Sequence, residues 1–341
     1  MGSARLIAMA RDLLPLSINL PADLLAEIGG ARETLAAAKA SSTQKAYASD
    51  WERFCAFCDA RNVEALPAHP DIVALFAHVE AEAGIAPVTI GRRVAAINHH
   101  HKEADFASPT ARDAAGIIAQ MMAGVRRRYA RKKVQKAPAE ADVLKAMLAT
   151  IKGNGLRAVR DRAILAIGMA GAFRRSELAA MQLGDLVFTA KGVRITIPKS
   201  KRDQEALGQV VAIPEGRVIQ PIRLLKAWMS VAALDGADRK AGEAQQAPLF
   251  RRLTRLDGLT DQPMTDKTVA RLVKACATAA SLDPALYSGH SLRAGFLTEA
   301  ASQRANLFKM KDHSRHKSLD TVADYVRDAA MFDDHAGDKF L

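Results

Sequence analysis

The chain has 341 residues, and its 49 Lys plus Arg against 37 Asp plus Glu give a formal net charge of +12 at pH 7. With 49% hydrophobic and 25% charged residues, the composition excludes a disordered or collagen-like chain. No apolar run reaches the roughly 18 residues that a membrane span needs, and the first 20 residues lack the pattern of a secretory signal. We therefore expect an intracellular, two-domain protein that binds a polyanion.

The first part of the chain is predicted to be helical. After a flexible N-terminus at residues 1–20, a helical domain spans residues 21–125, with helices at 21–38, 42–61, 69–83, 87–102 and 111–129. Two of these helices start with short polar or basic side chains, which suit phosphate and base-edge contacts in a DNA major groove. These candidate contacts are Thr43, Gln44 and Tyr47 in one helix, and Thr89, Arg92 and Arg93 in the other.

Two motifs in this domain resemble metal sites, but their spacing does not favour metal binding. Cys55 and Cys58 form a C-x-x-C pair, yet the chain has only three cysteines, and the helical pattern places this pair on an apolar face. Neighbours in the run His99 to His101 point about 100° apart on a helix and cannot converge on one ion. We expect no metal site.

A basic block separates the two predicted domains. Residues 1–125 carry a net charge of −3, whereas residues 126–136 hold seven basic residues and no acidic residue. Pro138 cannot continue a helix, so residues 126–138 are predicted to form a linker. The basic residues offered to a polyanion there are Arg126, Arg127, Arg128, Lys132 and Lys133.

The second domain, residues 139–341, mixes helices with one predicted β-hairpin. Period-two alternation predicts strands at 193–198 and 209–214, and the polar tip between them carries Lys199, Lys201 and Arg202. Helices are predicted at 140–152, 159–169, 221–234, 266–280, 291–303 and 318–331. The fold class is therefore mainly α with a small antiparallel β-sheet, an α+β arrangement.

Several residues of this domain have side chains suited to phosphodiester chemistry. Arg174 and Glu177 lie three residues apart, as do His290 and Arg293, so each pair shares one helix face. Arginine offers forked donors that match phosphate oxygens. The sequence lacks a phosphate-cradling glycine loop and the acidic metal ligands of a nuclease.

Short motifs in the second domain resemble those of the tyrosine recombinase (phage integrase) family, in particular its Cre-like members. Ser288-Gly-His-Ser-Leu-Arg-Ala-Gly-Phe resembles the family's H-x-x-R box, and Phe173-Arg-Arg-Ser-Glu-Leu resembles its first arginine box. Arg315-His-Lys-Ser-Leu-Asp-Thr, followed by Tyr325-Val-Arg-Asp, resembles its closing box. The segment from Ser42 to Ala68 resembles the helical core-binding domain of Cre-like members.

The resemblance implies a role for each matching residue. Tyr325 would attack a DNA phosphate, giving a 3′-phosphotyrosine, while Arg174, Arg293 and His316 would stabilise the transition state. Lys201 would protonate the leaving 5′-oxygen, with Lys199 as the alternative acid. His290 would support proton transfer, and Glu177 would orient its neighbours. His316 stands where Cre has Trp, so its acid/base share stays open.

The resemblance also implies the partners. Two domains would clamp double-stranded DNA carrying inverted-repeat half-sites around a short spacer, with a homodimer on each site and a homotetramer in synapsis. Segment 332–341 would be exchanged between protomers, and Lys267 and Arg271 are candidate groove contacts. No cofactor, metal or ATP is expected, and the protein would be cytoplasmic, nucleoid-associated and encoded by a bacterium, phage or plasmid.

Two other functions remain open on these residues. The same attack is used by type IB topoisomerases and telomere resolvases, which differ from recombinases in how the strands are resolved. Alternatively, the chain could be a non-catalytic DNA-binding protein of the same fold. Covalent trapping on DNA separates the binding protein from the enzymes, and strand exchange between two duplexes separates a recombinase from a topoisomerase.

Overall fold

A computed structural model describes residues 41–130, 136–197, 208–234 and 245–329, together with positions 27, 29 and 30. The chain divides into two compact units, Met1–Lys133 and Val134–Leu341. The fold class predicted from the sequence is confirmed, since helices dominate and the strands form small antiparallel sheets. Among the described residues, no helix is both long and apolar enough to cross a membrane.

The first unit is helical throughout its described part. Its elements are α1 (Ser41–Asp59), α2 (Pro70–Glu82), α3 (Pro87–Glu103), α4 (Pro109–Arg112) and α5 (Ile117–Arg128). Proline opens α2, α3 and α4, where its missing N–H costs no helical hydrogen bond. Phe54 and Phe76 are fully buried at the centre of the core, with their ring centroids 5.2 Å apart.

The helix predicted at residues 111–129 is two helices in the structure. The Asp113 carboxylate accepts hydrogen bonds from the backbone N–H groups of Ile117 and Ile118, each at 2.8 Å, and so starts α5 afresh. Gly116 precedes that start with φ of +67°, a conformation that glycine adopts without strain. A local carboxylate cap therefore overrides the continuous apolar pattern.

The cysteine and histidine motifs of this unit belong to its core. Cys58 is buried and Cys55 partly buried, which confirms the predicted apolar face. His101 is fully buried: its Nε2 accepts from Ala68 N–H at 2.8 Å, and its Nδ1 lies 2.8 Å from the Ile97 carbonyl. The described residues contain no group of three His, Cys, Asp or Glu side chains arranged to hold a metal ion.

The second unit combines helices with two small sheets. Its helices are α6 (Ala141–Thr150), α7 (Leu156–Ala170), α8 (Arg175–Ala180), α9 (Pro221–Val231), α10 (Asp266–Ala279), α11 (Gly289–Ser302), α12 (Leu307–Ser314) and α13 (Leu319–Ala329). Its strands are β1 (Leu186–Thr189), β2 (Gly192–Ile197), β3 (Gln209–Pro214), β4 (Arg251–Leu253) and β5 (Leu259–Pro263). Helix α7 lies at the centre, with Ile164, Leu165 and Ile167 fully buried.

The predicted hairpin is part of a three-stranded antiparallel sheet in the order β1-β2-β3. Ile195 pairs with Val211 and Val193 pairs with Ile213, so the apolar residues of β2 and β3 share the buried face. The predicted strands are confirmed to within one residue at their ends. Strands β1, β4 and β5 and helix α12 were not predicted, because each is too short to show a clear period.

Gly295 sets the closeness of α11 to the start of the second unit. A β-carbon at this position would lie 2.0 Å from the Ala139 carbonyl oxygen, and that segment is held by a hydrogen bond from Ala139 N–H to Ser291 O at 2.9 Å. We therefore expect Gly295→Ala to reduce the free energy of unfolding by about 2 kcal/mol through overpacking. Urea denaturation of the purified variant measures this loss.

Gly124→Ala is the matched control for that substitution. Gly124 lies within α5 and nothing stands within 4 Å of the position its β-carbon would occupy. Alanine should therefore stabilise the helix there by up to about 1 kcal/mol. A Gly295→Ala protein as stable as the native one would show that the two backbones separate at little cost.

Candidate active site

The connection from α7 to α8 carries the first arginine of the site. Arg174 is the N-cap of α8, and its backbone N–H donates to Glu177 Oε2 at 2.8 Å while its Nη1 donates to Glu177 Oε1. The Arg174 side chain keeps 27% of its surface exposed, whereas that of Glu177 keeps 4%. The carboxylate thus fixes both the start of α8 and the direction of a half-open guanidinium.

Arg293 approaches the same place from α11. Its side chain is almost fully buried, and its Nη1 donates to the Ala172 carbonyl at 2.7 Å. Burial, followed by the positive charges of Arg174 and Arg315, lowers the pKa of Arg293 to about 9. The guanidinium is therefore still charged at pH 7.

Arg315 is a third arginine of the site, and the sequence assigned it no role. Its side chain is 2% exposed, and its Nη2 donates to Glu177 Oε2 and to Ala172 O, each at 2.9 Å. Its own carbonyl accepts from Arg174 Nη2 at 3.2 Å. Arg174, Glu177, Arg293 and Arg315, here called the arginine cluster, are thus joined by shared hydrogen bonds.

The two histidines and the tyrosine of the predicted site lie on three helical elements. His316 follows α12, with both of its ring nitrogens 3.3 Å from Arg293 Nη2 and its Nδ1 2.8 Å from Ser314 Oγ. His290 is exposed in the first turn of α11, one turn before Arg293. Tyr325 on α13 packs in an apolar cluster with Leu297, which lies one turn after Arg293 on α11. The negative charge of the Tyr325 phenolate would raise the pKa of Arg293, so its hydroxyl lies near the cluster.

The arginine cluster carries an excess of positive charge. Three guanidiniums surround one carboxylate, and two of them are buried with Glu177. Burial alone would raise the pKa of Glu177, but the charges of Arg315 and Arg174 and the backbone hydrogen bond from Arg174 outweigh it and lower that pKa. With Glu177 ionised, two positive charges remain, and an anion such as a phosphodiester would balance them.

Glu177→Gln should remove a pH-dependent part of the stability. A carboxyl whose folded pKa lies below its ordinary value of 4.5 stabilises the protein above that pH, and the contribution is lost as the pH falls through the folded pKa. At pH 7 the variant should lose about 3 kcal/mol of unfolding free energy, since two buried arginines lose a charged partner. Below pH 4.5 the difference from the native protein should narrow.

Urea unfolding between pH 3 and pH 7 measures that difference. Glu215→Gln is the control, because Glu215 is exposed after β3 and its substitution should leave stability unchanged. A constant gap between native and Glu177→Gln proteins across this range would contradict the depressed pKa.

The predicted DNA contacts of the first unit have different surroundings in the structure. Arg92 binds Asp50 through two hydrogen bonds, at 2.8 and 3.0 Å. Arg93 is only 12% exposed and pairs with the buried carboxylates of Glu80 and Asp50. Both arginines are thus tied to carboxylates, and Arg93 offers little surface to a ligand. The polar residues at the start of α1, where Gln44 is exposed, and Thr89 at the start of α3 are partly or fully exposed; they are Thr43, Gln44, Tyr47 and Thr89.

The remaining predicted contacts are exposed or lie outside the described residues. Arg126, Arg127 and Arg128 are exposed on the last turn of α5, so the helix of the first unit continues into the segment predicted as a linker. Lys267 and Arg271 are exposed, one turn apart, at the start of α10. Outside the described residues lie the predicted helix at 21–38 apart from three positions, Lys132, Lys133, Lys199, Lys201, Arg202 and segment 332–341. The domain bounds and the DNA contacts stay predictions.

Comparison with known proteins decides the family. The sequence profile of the phage integrase family matches residues 139–331, which include the whole arginine cluster, His316 and Tyr325. The chain belongs to the phage integrase family. It is therefore a DNA-breaking and rejoining enzyme of the tyrosine recombinase type, which confirms the function predicted from the sequence.

Curated relatives agree with this assignment. The chain is 35% identical over 308 residues to an integrase/recombinase xerD homolog of Selenomonas ruminantium, which covers 90% of this chain and 87% of that protein. It is 31% identical over 196 residues to the tyrosine recombinase XerD of Xanthomonas axonopodis pv. citri, covering 57% of this chain and 59% of the relative. The particular resemblance to Cre stays a prediction.

Solved structures of phage integrase relatives share the fold at low sequence identity. A XerH site-specific recombinase bound to a palindromic difH substrate matches with a TM-score of 0.54 and 17% identity, covering 78% of this chain and 70% of that one. A lambda integrase dimer bound to a core site matches with a TM-score of 0.54 and 15% identity, covering 84% and 89%. Both matches support the fold of a tyrosine recombinase.

Proposed function

We propose that this chain is a site-specific recombinase that cuts and rejoins double-stranded DNA through a 3′-phosphotyrosine intermediate and a Holliday junction. The observation that carries the proposal is the arginine cluster, in which three guanidiniums face one buried carboxylate and leave two positive charges. A scissile phosphate gathers negative charge in its transition state, and fixed donors stabilise that charge without reorganising. Family membership supplies the reaction class.

Tyr325 is the proposed nucleophile. Of the four tyrosines in the chain, Tyr287 is buried in the main core, and Tyr47 and Tyr129 belong to the first unit. Tyr325 packs one helical turn from Arg293 and is partly exposed. Its attack forms a bond from the phenolic oxygen to phosphorus and breaks the bond from phosphorus to the 5′-oxygen. Arg174, Arg293 and His316 donate to the non-bridging oxygens.

Proton transfer completes the proposed cycle. A phenol with an ordinary pKa near 10 needs a base, and the leaving 5′-oxygen needs an acid. We assign the acid to Lys201, with Lys199 as the alternative, and a supporting role to His290. Glu177 orients Arg174, consistent with its two hydrogen bonds to that residue. Because one phosphodiester is exchanged for another at nearly constant bond energy, neither ATP nor metal is needed.

The proposed partners follow from this chemistry. Each DNA site carries inverted-repeat half-sites around a short spacer and holds a homodimer, and two sites form a homotetramer in synapsis. The protein acts in the cytoplasm, on the nucleoid of a bacterium or on phage or plasmid DNA. The basic side chains at the end of α5 and the start of α10 support a backbone-gripping surface with strong salt dependence.

Covalent capture from randomised DNA tests the proposal for any target sequence. Purified protein is incubated in EDTA with a library of nicked duplexes of randomised sequence, and adducts that survive detergent are recovered and sequenced. We expect adducts joined through Tyr325 on peptide mapping, and an enriched sequence with inverted repeats. Two duplexes that carry the enriched sequence should then exchange strands.

Each outcome of the capture separates one alternative. Binding without any adduct indicates the non-catalytic DNA-binding protein. Adducts and relaxation without strand exchange indicate the type IB topoisomerase reaction, and hairpin products indicate a telomere resolvase. A strict requirement for Mg²⁺ in adduct formation would contradict the metal-free mechanism.

A further inference from the structure

Arg315 has a backbone conformation that does not suit an arginine. It ends α12 with φ of +59° and ψ of +42°, in the left-handed region where glycine is the residue without strain. Residues held in this region with a large buried side chain are found where the side chain has a task. The question is therefore what the Arg315 guanidinium does.

The Arg315 guanidinium is buried against the turn that carries Arg174. It donates to the carbonyls of Gly171 and Ala172, at 3.0 and 2.9 Å, and its Cζ lies 5.0 Å from the ring centroid of buried Phe173. It also donates to His313 O at 2.7 Å, within the last turn of its own helix α12. One side chain thus ties the end of α12 to the connection between α7 and α8.

Each of the two proposed phosphate-binding arginines shares an acceptor with Arg315. Ala172 O accepts from Arg315 and from Arg293, and the Glu177 carboxylate accepts from Arg315 and from Arg174. Arg174 also donates to the Arg315 carbonyl. His316, the third proposed donor, is the next residue along the chain. A shift of Arg315 would therefore be passed to all three donors.

We propose that Arg315 is a positioning residue that fixes Arg174 and Arg293 in the geometry required by the scissile phosphate. It touches no DNA itself, since its side chain is buried and its donors are turned to protein carbonyls and Glu177. This inference rests on the proposed function, and it adds to it a residue through which the arginine pair acts. A misplacement of about 1 Å at a reacting centre costs about 100-fold in rate.

Arg315→Gly is the first test, because glycine fits the left-handed conformation and removes only the side chain. On the nicked duplex recovered by covalent capture with the native protein, we expect the single-turnover rate of adduct formation to fall about 100-fold. The dissociation constant for that duplex should change less than about threefold, since the residue does not contact DNA. Arg304→Gly is the matched control, because Arg304 also has a positive φ, of +54°, but its side chain is exposed.

A double-mutant cycle separates positioning from an independent contribution. If Arg315 acts through Arg174, then Arg315→Gly should cost less than about tenfold in an Arg174→Ala background. A full 100-fold loss in both backgrounds overturns the positioning role. So does adduct formation by Arg315→Gly at the native rate.

A further variant covers a failure to fold. Should Arg315→Gly unfold, Arg315→Lys keeps the charge but loses the fork, and it should fold and form adducts about tenfold more slowly than the native protein. Unfolding of both variants overturns the proposal, because Arg315 is then needed for the fold itself. Absence of adducts with the native protein contradicts the proposed function, whereas equal rates for native and Arg315→Gly proteins contradict only the role of Arg315.

Discussion

Tyr325→Phe should abolish covalent capture of DNA while leaving binding intact. The substitution removes only the hydroxyl oxygen, so the ring still packs with Leu297 and Val322 between α11 and α13. Without the nucleophile no phosphotyrosine can form, and the rate of adduct formation should fall by about 10⁴-fold or more. Denaturing gel electrophoresis of the protein with nicked duplex measures the rate, and a mobility shift under native conditions measures binding.

Tyr129→Phe is the control for the loss of a tyrosine hydroxyl. The Tyr129 hydroxyl donates to Glu82 in the first unit, so its removal should leave the rate of adduct formation unchanged. Adducts formed by Tyr325→Phe at more than about one hundredth of the native rate would place the nucleophile on another side chain. Peptide mapping of such an adduct would identify that residue.

The helices could be predicted from the sequence wherever their apolar period was long. Helix α10 was expected at 266–280 and is Asp266–Ala279, and β3 was placed at its observed bounds. The pattern failed where a single polar contact decides the backbone, as at Asp113, whose carboxylate starts α5. Helix α12 was missed because its eight residues carry only two buried ones, too few to define a face.

The site was predicted from spacing and from family resemblance, which assign types of residue but not their contacts. Arg174 and Glu177 were expected to be neighbours, and the structure pairs them. Arg93 was expected to bind DNA, and the structure turns it to Glu80, a carboxylate 13 residues away that no local pattern links to it. Arg315 received no role, because neither its burial nor its positive φ is visible in the sequence.

Arg293→Lys should slow DNA cleavage about 10²- to 10³-fold without loss of DNA binding. Lysine keeps the charge but has one amino group where arginine has a fork, and Arg293 uses both ends of its fork: Nη1 donates to Ala172 O and Nη2 lies beside His316. A lysine that satisfies Ala172 therefore has no donor left in the direction of His316 and the phosphate. Single-turnover adduct formation on the nicked duplex measures the loss.

Arg175→Lys is the matched control for that substitution, because Arg175 neighbours the cluster in sequence but pairs with Asp266 at 3.1 Å and keeps about half of its side chain exposed. Its rate should stay within about twofold of the native one, since an exposed ion pair contributes little. If Arg293→Lys cleaves as fast as Arg175→Lys, charge alone suffices at Arg293. The directed fork would then be unnecessary, and the shared acceptor at Ala172 would serve the fold rather than the phosphate.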